Sequence, residues 1–199
     1  MASTSGHEPR IAMLSIEDAK KAAASEGISE AMAPLSVFRI LLKNPPLARE
    51  LGNTLNMLLF QGNQLDARLR ELIIMRIGWV TGSCYEWTQH WRVCMQLDIP
   101  EEVVLACRSW ENADVLTDAD RAVLRATDET LDSGRISPQT WAECAKHIKN
   151  DAELLEMVVA IGNWRLFSQL LLSLEVPLEE GVEAWAPDGL PAPRAPKGY

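Results

Sequence analysis

The sequence predicts an all-α protein, a bundle of about eight helices. Apolar residues recur at helical spacing, and no segment alternates apolar and polar residues as a half-buried strand does. Glycine and proline divide the chain into segments that nearly all have this period. The 199 residues are enough for one domain with its own core. We expect that domain at 15–185, between a loose N-terminus at 1–14 and a flexible, proline-rich tail at 186–199.

Capping residues and prolines set the bounds of the predicted helices. Asp66, Ser83, Thr117 and Ser137 have the short polar side chains that accept hydrogen bonds from the first amides of a helix. Pro177 stops the last long helix. The predicted helices span about 15–27, 34–43, 47–60, 67–80, 84–96, 100–110, 118–132, 138–148 and 151–174.

Charge and apolar run length exclude several classes of partner. There are 19 Lys and Arg residues against 28 Asp and Glu, a net charge of −9 that disfavours nucleic acid and anionic membrane surfaces. The longest apolar runs fall short of the ~20 residues that span a bilayer. Residues 1–10 lack the apolar segment of a secretory signal. We therefore expect a cytoplasmic protein with no membrane or nucleic-acid partner.

Cysteine spacing argues against a metal or redox pair. No two of Cys84, Cys94, Cys107 and Cys144 form a Cys-x-x-Cys motif, so we expect no structural zinc. Thiols of an intracellular protein stay reduced, and free cysteine packs as a small apolar residue. We expect four reduced thiols, packed rather than paired.

The helix predicted at 67–80 is apolar on every face, which indicates that it is buried on all sides. It nevertheless contains Glu71 and Arg76. A buried carboxylate needs a hydrogen bond, a cation or a proton, so Glu71 is a candidate acid or base. Arg76 lies five residues away on another face, where it is badly placed to pair with Glu71. For both residues the alternative is a purely structural salt bridge to another helix or subunit.

The next helix carries three polar residues on one face, because Ser83, Glu86 and His90 lie at positions i, i+3 and i+7. Glu86 is placed to orient the His90 imidazole, a group suited to proton transfer at neutral pH. The alternative for Ser83 and Glu86 is a capping box at the helix start. On the adjacent face Trp87 belongs to a stripe of aromatic and cysteine residues that is typical of packing.

Three runs of residues together resemble a known family. They are Arg70-Glu71-Leu72-Ile73-Ile74-Met75-Arg76, Tyr85-Glu86-Trp87-x-x-His90 and Ile99-Pro100-Glu101-Glu102. This pattern resembles the carboxymuconolactone decarboxylase family, which is related to the alkyl hydroperoxide reductase D (AhpD) proteins, over about residues 35–180. The resemblance implies an AhpD-like helical fold and self-association into a homo-oligomer, with dimer, trimer and hexamer all open.

The sequence departs from the AhpD pattern at its redox centre. That pattern is Glu, eleven residues, Cys, two residues, Cys, three residues, His. Counted from Glu71, the cysteine positions hold Ser83 and Glu86, and the histidine position holds His90. A peroxidase cycle through a disulfide is therefore not available. The resemblance that remains is to the decarboxylase-like branch, whose known reaction removes CO2 from a carboxylated lactone without a metal or organic cofactor.

This resemblance implies a cofactor-independent lyase for a small carboxylated lactone or enolisable acid, with polyketide-type metabolites among the candidates. We expect Glu71, Glu86 and His90 to be catalytic. His90, oriented by Glu86, would protonate the enolate left by CO2 loss, while Glu71 carries a second proton or holds His90. The expected substrate-binding residues are Arg76, Trp79, Ser83 and Trp87. The alternatives are a non-catalytic helical oligomer that binds a ligand, and thiol-dependent antioxidant activity through Cys84.

Overall fold

The computed structural model describes residues 8–185. This part of the chain forms nine α-helices and one 3-10 turn (Trp110–Asn112) and contains no strand, which confirms the predicted all-α class. The helices are α1 (Ile16–Ser25), α2 (Ser36–Leu41), α3 (Pro45–Leu59), α4 (Ala67–Thr81), α5 (Cys84–Gln96), α6 (Glu101–Ala106), α7 (Asp118–Ser133), α8 (Pro138–His147) and α9 (Asp151–Ser173).

The chain divides into two compact units. The first consists of Met1–Gly62 and Leu170–Glu183, and the second of Asn63–Gln169 and Ala184–Tyr199, as far as the structure describes them. The proline-rich tail predicted at 186–199 lies outside the described residues, as do residues 1–7 of the predicted loose N-terminus.

The first unit contains α1, α2 and α3. Ser15 caps α1 by accepting a hydrogen bond from the Asp18 amide at 3.0 Å. The Leu14 amide donates to the Arg39 carbonyl, also at 3.0 Å. The sequence Asn44-Pro45-Pro46, which predicted a break, also begins α3, because proline is tolerated in the first turn of a helix.

The second unit is organised around α4, which packs against α5 and α7. The expectation that α4 is buried on all sides is confirmed, since nine of its fifteen residues are buried. Asp66 caps it, and Gly82 ends it in the left-handed conformation with φ 79°. Gly78 lets α5 approach closely, because a Cβ there would lie 3.2 Å from the Trp87 amide nitrogen. The tight α4–α5 connection thus places the two motif helices side by side.

Most helix bounds in the second unit agree with the predicted caps. Thr117 and Asp120 form a reciprocal capping box at the start of α7, and Ser137 caps α8. The segment predicted as one helix at 100–110 is shorter, with α6 followed by the separate 3-10 turn. No helix in residues 8–185 combines the length and the apolar character needed to cross a membrane.

Candidate functional site

Glu71 of α4 and His90 of α5 contact each other directly. Glu71 Oε2 lies 2.7 Å from His90 Nδ1, and Glu71 Oε1 accepts a hydrogen bond from Arg70 Nε at 2.9 Å. The side chain of Glu71 is fully buried and that of Arg70 is 4% exposed. Of the three possibilities expected for the buried Glu71, a hydrogen bond, a cation or a proton, the structure shows a cation, which Arg70 supplies from the adjacent position in the sequence.

The second ring nitrogen of His90 is also occupied. Trp164 of α9 donates its indole N–H to His90 Nε2 at 3.1 Å, with the two rings nearly perpendicular at 84°. An indole nitrogen can only donate, so Nε2 must present a lone pair and the imidazole proton must lie on Nδ1. His90 is thus a neutral imidazole that donates to Glu71, and in this arrangement Nε2 has no proton to give.

Glu86 does not orient His90, which corrects the expectation drawn from their i, i+4 spacing. The Glu86 carboxyl contacts α9 instead, where Ser168 Oγ lies 2.8 Å from Glu86 Oε2. Helical spacing allows two side chains to meet but does not require it, and here each of them makes its hydrogen bonds with residues of other helices. Glu71 holds His90, which was the second role expected for Glu71.

Glu86 is buried in a way that favours its uncharged form. Loss of water raises the pKa of this carboxyl well above its ordinary value, and the contact with Ser168 only partly opposes that effect. Its Oε1 atom is buried and has no hydrogen-bond partner among residues 8–185. The two buried glutamates of the motif therefore differ: Glu71 is paired at both oxygens, and Glu86 keeps one oxygen unused.

Ser83 acts as the N-cap of α5. Its Oγ accepts a hydrogen bond from the Glu86 amide at 3.4 Å, while its own amide donates to the Gly78 carbonyl at 2.9 Å. Only half of the predicted capping box forms, because the Glu86 carboxyl is turned toward Ser168. Ser83 is buried and contributes to the site by fixing where α5 begins.

Arg76 does not provide a free cation for a substrate, contrary to expectation. Its Nε and Nη2 donate to the two carboxylate oxygens of Asp128 on α7, at 2.6 and 2.9 Å. Its Nη1 donates to the carbonyls of Cys107 and Arg108. These bonds neutralise the charge and tie α4 to α7, so Arg76 follows the structural alternative.

Trp79 and Trp87 surround a cation that the sequence did not reveal. The Arg108 guanidinium carbon lies 4.7 Å from the Trp79 ring centroid, 5.1 Å from that of Trp87 and 4.9 Å from that of Trp185. We call these four residues the arginine–tryptophan cluster. Trp91 stacks on Trp185 at 3.7 Å and extends the cluster. No spacing in the sequence links Arg108 to the indoles, because the contact forms only in the folded chain.

The four cysteines are free thiols, as predicted. Burial raises the pKa of Cys107 to about 12 and that of Cys144 to about 11, and it raises the pKa of Cys94 further. Cys84 is partly exposed and its sulfur lies 3.9 Å from Thr88 Oγ1. Within residues 8–185, no group of three or more His, Cys, Asp and Glu side chains is arranged to hold a metal ion.

Comparison with known proteins supports the resemblance noted in the sequence. Residues 45–129 match the model of the Carboxymuconolactone decarboxylase family. This region contains the Glu71-to-His90 motif and ends within α7. No curated protein matches the chain by sequence.

Several solved structures share the fold. An uncharacterized peroxidase-related protein from Silicibacter sp. TM1040 is 14% identical, with a TM-score of 0.75 over 91% of this chain and 97% of that one. An AhpD-core protein from Ralstonia eutropha JMP134 is 13% identical, with a TM-score of 0.71 over 88% and 95%. The debrominase Bmp8, solved with 2,3,4-tribromopyrrole, is 16% identical, with a TM-score of 0.65 over 83% and 86%. The AhpD-like helical fold is thus confirmed.

Proposed function

Taking residues 45–129 as a carboxymuconolactone decarboxylase region, we propose that this protein is a cofactor-independent lyase that uses Glu86 as its proton donor. The substrate is a small carboxylated lactone or enolisable acid, with polyketide-type metabolites included. The family match favours an enzyme that acts on a small molecule, and the fold is shared with a debrominase that binds a halogenated pyrrole. The cytoplasmic location and the absence of a cofactor remain predictions.

The state of the Glu86 carboxyl carries the proposal. A general acid must hold a proton at working pH and present an oxygen that is not already committed. Glu86 meets both requirements, since burial favours its acid form and Oε1 has no partner among the described residues. Glu156 also has a buried Oε1 without a partner among the described residues, so the position of Glu86 in the motif beside Glu71 and His90 is what selects it.

The chemistry follows from this assignment. The substrate carboxylate loses CO2 by cleavage of its C–C bond, and the electron pair passes into the neighbouring carbonyl to give an enolate. Glu86 then transfers its proton to the carbon, which leaves a Glu86 carboxylate, and a proton from solvent restores the acid. Burial disfavours the charged carboxylate that this transfer leaves, so the transfer is driven by the greater basicity of the enolate.

His90 and Glu71 take a positioning role in this proposal. Arg70, Glu71, His90 and Trp164 form a continuous chain of hydrogen bonds across α4, α5 and α9. His90 lies one helical turn beyond Glu86 and its side chain is 13% exposed, so it forms a firm, uncharged surface next to the donor. His90 was expected to be the proton donor, but its Nε2 accepts a hydrogen bond from Trp164. We therefore assign the role of proton donor to Glu86.

Arg108 replaces Arg76 as the proposed receptor for the substrate carboxylate. It lies against Trp79 and Trp87, the two indoles expected to wall the site, and Trp87 directly follows Glu86 in α5. A guanidinium recognises a carboxylate through paired N–H donors, while the indoles contact the planar part of the molecule.

The proposal is tested with a panel of carboxylated lactones and enolisable acids, followed by mass spectrometry for loss of CO2 or water. With a substrate in hand, Glu86→Gln should lower kcat by at least ~100-fold, the usual contribution of a general acid. Glu156→Gln is the matched control, a second buried glutamate whose Oε2 accepts a hydrogen bond from the Gln64 amide and whose Oε1 also has no partner among the described residues. Equal rates in the wild type and Glu86→Gln would refute the assignment.

The thiol alternative is weighed with the same substrates. Cys84→Ser removes the one cysteine that is partly exposed, while leaving Glu86 and Ser168 in place. The proposal requires full activity in this variant. A loss comparable to that of Glu86→Gln would instead favour chemistry at the thiol.

The homo-oligomer predicted from the resemblance remains part of the proposal. α9 exposes Leu155, Val158, Val159 and Leu166, and Gly162 on the same stripe has open space where a Cβ would lie. Apolar residues at this spacing suit packing against another helix, and a second copy of this chain would cover them. Leu155→Lys combined with Leu166→Lys should lower the mass measured by light scattering, and an unchanged mass would exclude this face.

A further inference from the structure

Two indole N–H groups of the arginine–tryptophan cluster are buried without an acceptor in the described chain. The Nε1 atoms of Trp87 and Trp185 have no hydrogen-bond partner within residues 8–185. Trp110 and Trp164 are also buried, but each donates its N–H to another side chain, at 2.8 and 3.1 Å. A buried donor without an acceptor is costly, so its presence in two members of one cluster points to a partner from outside the chain.

The two N–H groups lie beside the same cation. The ring centroids of Trp87 and Trp185 are 5.7 Å apart, and the Arg108 guanidinium carbon lies 5.1 and 4.9 Å from them. One small molecule is therefore long enough to reach both indole nitrogens and the guanidinium. An indole nitrogen and a guanidinium can only donate hydrogen bonds. A molecule bound here has to supply acceptor oxygens, and the cation favours a negative charge on it.

We propose that Trp87 and Trp185 donate their indole N–H groups to a carbonyl oxygen of the same ligand whose carboxylate binds Arg108. This inference rests on the proposed role of Arg108 as the carboxylate receptor. It narrows the substrate to flat, unsaturated ring compounds in which the carboxylate is attached next to a ring carbonyl, because indole faces contact a flat ring more fully than a puckered one.

The same contacts suit the loss of CO2. When the bond between the ring carbon and the carboxylate breaks, its electron pair passes into the ring carbonyl, and negative charge collects on the carbonyl oxygen. Donors placed at that oxygen stabilise the enolate more than the substrate, and this difference lowers the barrier. Glu86, the residue before Trp87 in α5, then gives its proton to the ring carbon.

Trp185 is the member of the cluster that can move to admit a ligand. It follows α9, its amide donates to Thr88 Oγ1 at 3.2 Å, and its ring stacks on Trp91 at 3.7 Å. Arg108 and Trp79 are partly exposed, so a ligand arriving from solvent meets the cation first. A turn of the Trp185 ring, with no change in any helix, then makes room for the flat part of the molecule.

The test is the binding of three flat probes of similar size, measured by titration calorimetry. Coumarin-3-carboxylate has both the carboxylate and the lactone carbonyl, naphthalene-2-carboxylate lacks the carbonyl, and coumarin lacks the carboxylate. Trp87→Phe and Trp185→Phe keep an aromatic face but remove the N–H. Each should lower the ratio of the affinity for coumarin-3-carboxylate to that for naphthalene-2-carboxylate about fivefold, the effect of one hydrogen bond. The ratio cancels the loss of ring area, which both probes share.

Two further variants make the result specific. Trp110→Phe is the matched control, because it also removes a buried indole N–H, but one that donates to Asp128. It should leave the ratio unchanged. Arg108→Met should abolish the preference for coumarin-3-carboxylate over coumarin, which tests the role on which the inference rests.

The inference is overturned if coumarin-3-carboxylate does not bind, if neither Trp87→Phe nor Trp185→Phe lowers the ratio, or if Trp110→Phe lowers it equally. These outcomes are separate from the proposed function, because no turnover is measured. A preference for the carboxylate that persists in Arg108→Met would reject the role of Arg108, while a lowered ratio would still support the indole contacts. Failure of every substrate in the panel to lose CO2 would reject the lyase and leave the binding result standing.

Discussion

Two buried glutamates lie in neighbouring helices, and the protein treats them differently. Each carboxylate oxygen of Glu71 has a partner, Arg70 at Oε1 and His90 at Oε2. Glu86 faces Ser168 with one oxygen, while the other has no partner among the described residues. The comparison teaches that burial alone does not decide how a carboxyl is used. The partner decides whether a buried carboxyl becomes part of the framework or stays available for chemistry.

The largest expected effect comes from removing the cation that pairs with Glu71. Arg70→Met removes the cation next to a fully buried carboxylate and should lower the free energy of unfolding by about 3–5 kcal/mol. Urea denaturation measures this. Lys146→Met serves as the control, because its pair with Glu143 is exposed and its loss should be hardly measurable. A loss for Arg70→Met no greater than the control's would mean that Glu71 does not depend on Arg70.

The Glu86 side should show itself in the pH dependence of stability. The unfolded chain loses the Glu86 proton near the ordinary value of 4.5, whereas the folded chain keeps it to a higher pH. The folded state thus binds more protons above pH 4.5, and stability from this group falls as pH rises toward the folded pKa, by about 1.4 kcal/mol per pH unit.

Urea unfolding of the wild type and Glu86→Gln across this pH window isolates the effect, since all other groups cancel in the difference. The hydrogen-bond partners of Asp120 and Glu129 lower the pKa values of these two carboxyls, so their contribution to stability rises with pH in the acid range. That contribution is the same in the wild type and in Glu86→Gln. A difference that stays constant with pH would show that Glu86 is ionised in the folded chain.

Arg76 offers a smaller test of which cation binds substrate. Arg76→Lys loses the paired contact with Asp128 and should cost about 1 kcal/mol of stability, measured by urea denaturation. The same variant should leave KM near the wild-type value, whereas Arg108→Lys should raise it. An increased KM for Arg76→Lys alone would return the binding role to Arg76.

The smallest expected effect is a change in which ring nitrogen of His90 carries the proton. In the wild type the His90 ring proton should be found on Nδ1 by nitrogen NMR, because Trp164 occupies Nε2. Trp164→Phe removes the indole N–H and should yield a mixture of tautomers, with His147→Gln used for assignment. A pure Nε2–H form in the wild type would contradict the structure's hydrogen bonds.

Much of the fold was predictable because local signals decide it. The caps at Asp66, Ser83 and Thr117 were read correctly, since a cap acts within one helical turn. The burial of α4 also followed from the sequence, as did the need of Glu71 for a hydrogen bond, a cation or a proton. The segment after Pro100 was predicted as one helix, although nothing local marks the end of α6 at Ala106.

The site was harder to predict because its partners are distant in sequence. Trp164 and Ser168 lie more than 70 residues from His90 and Glu86 in the sequence. They lie on the same face of α9 because they are four residues apart. Helical spacing suggested that Glu86 would meet His90, yet both found partners on other helices. Arg108 carried no signal, because its contact with the indoles is created by tertiary packing alone.

Carbon NMR of the glutamate carboxyl groups tests the central comparison most directly. Protein labelled at the glutamate carboxyl carbon is examined at neutral pH, with Glu71→Gln and Glu86→Gln used to assign the two resonances. The account predicts a carboxylate shift for Glu71 and a carboxylic acid shift for Glu86 in the same spectrum. Two carboxylate shifts would contradict it, because Glu86 would then have no proton to deliver.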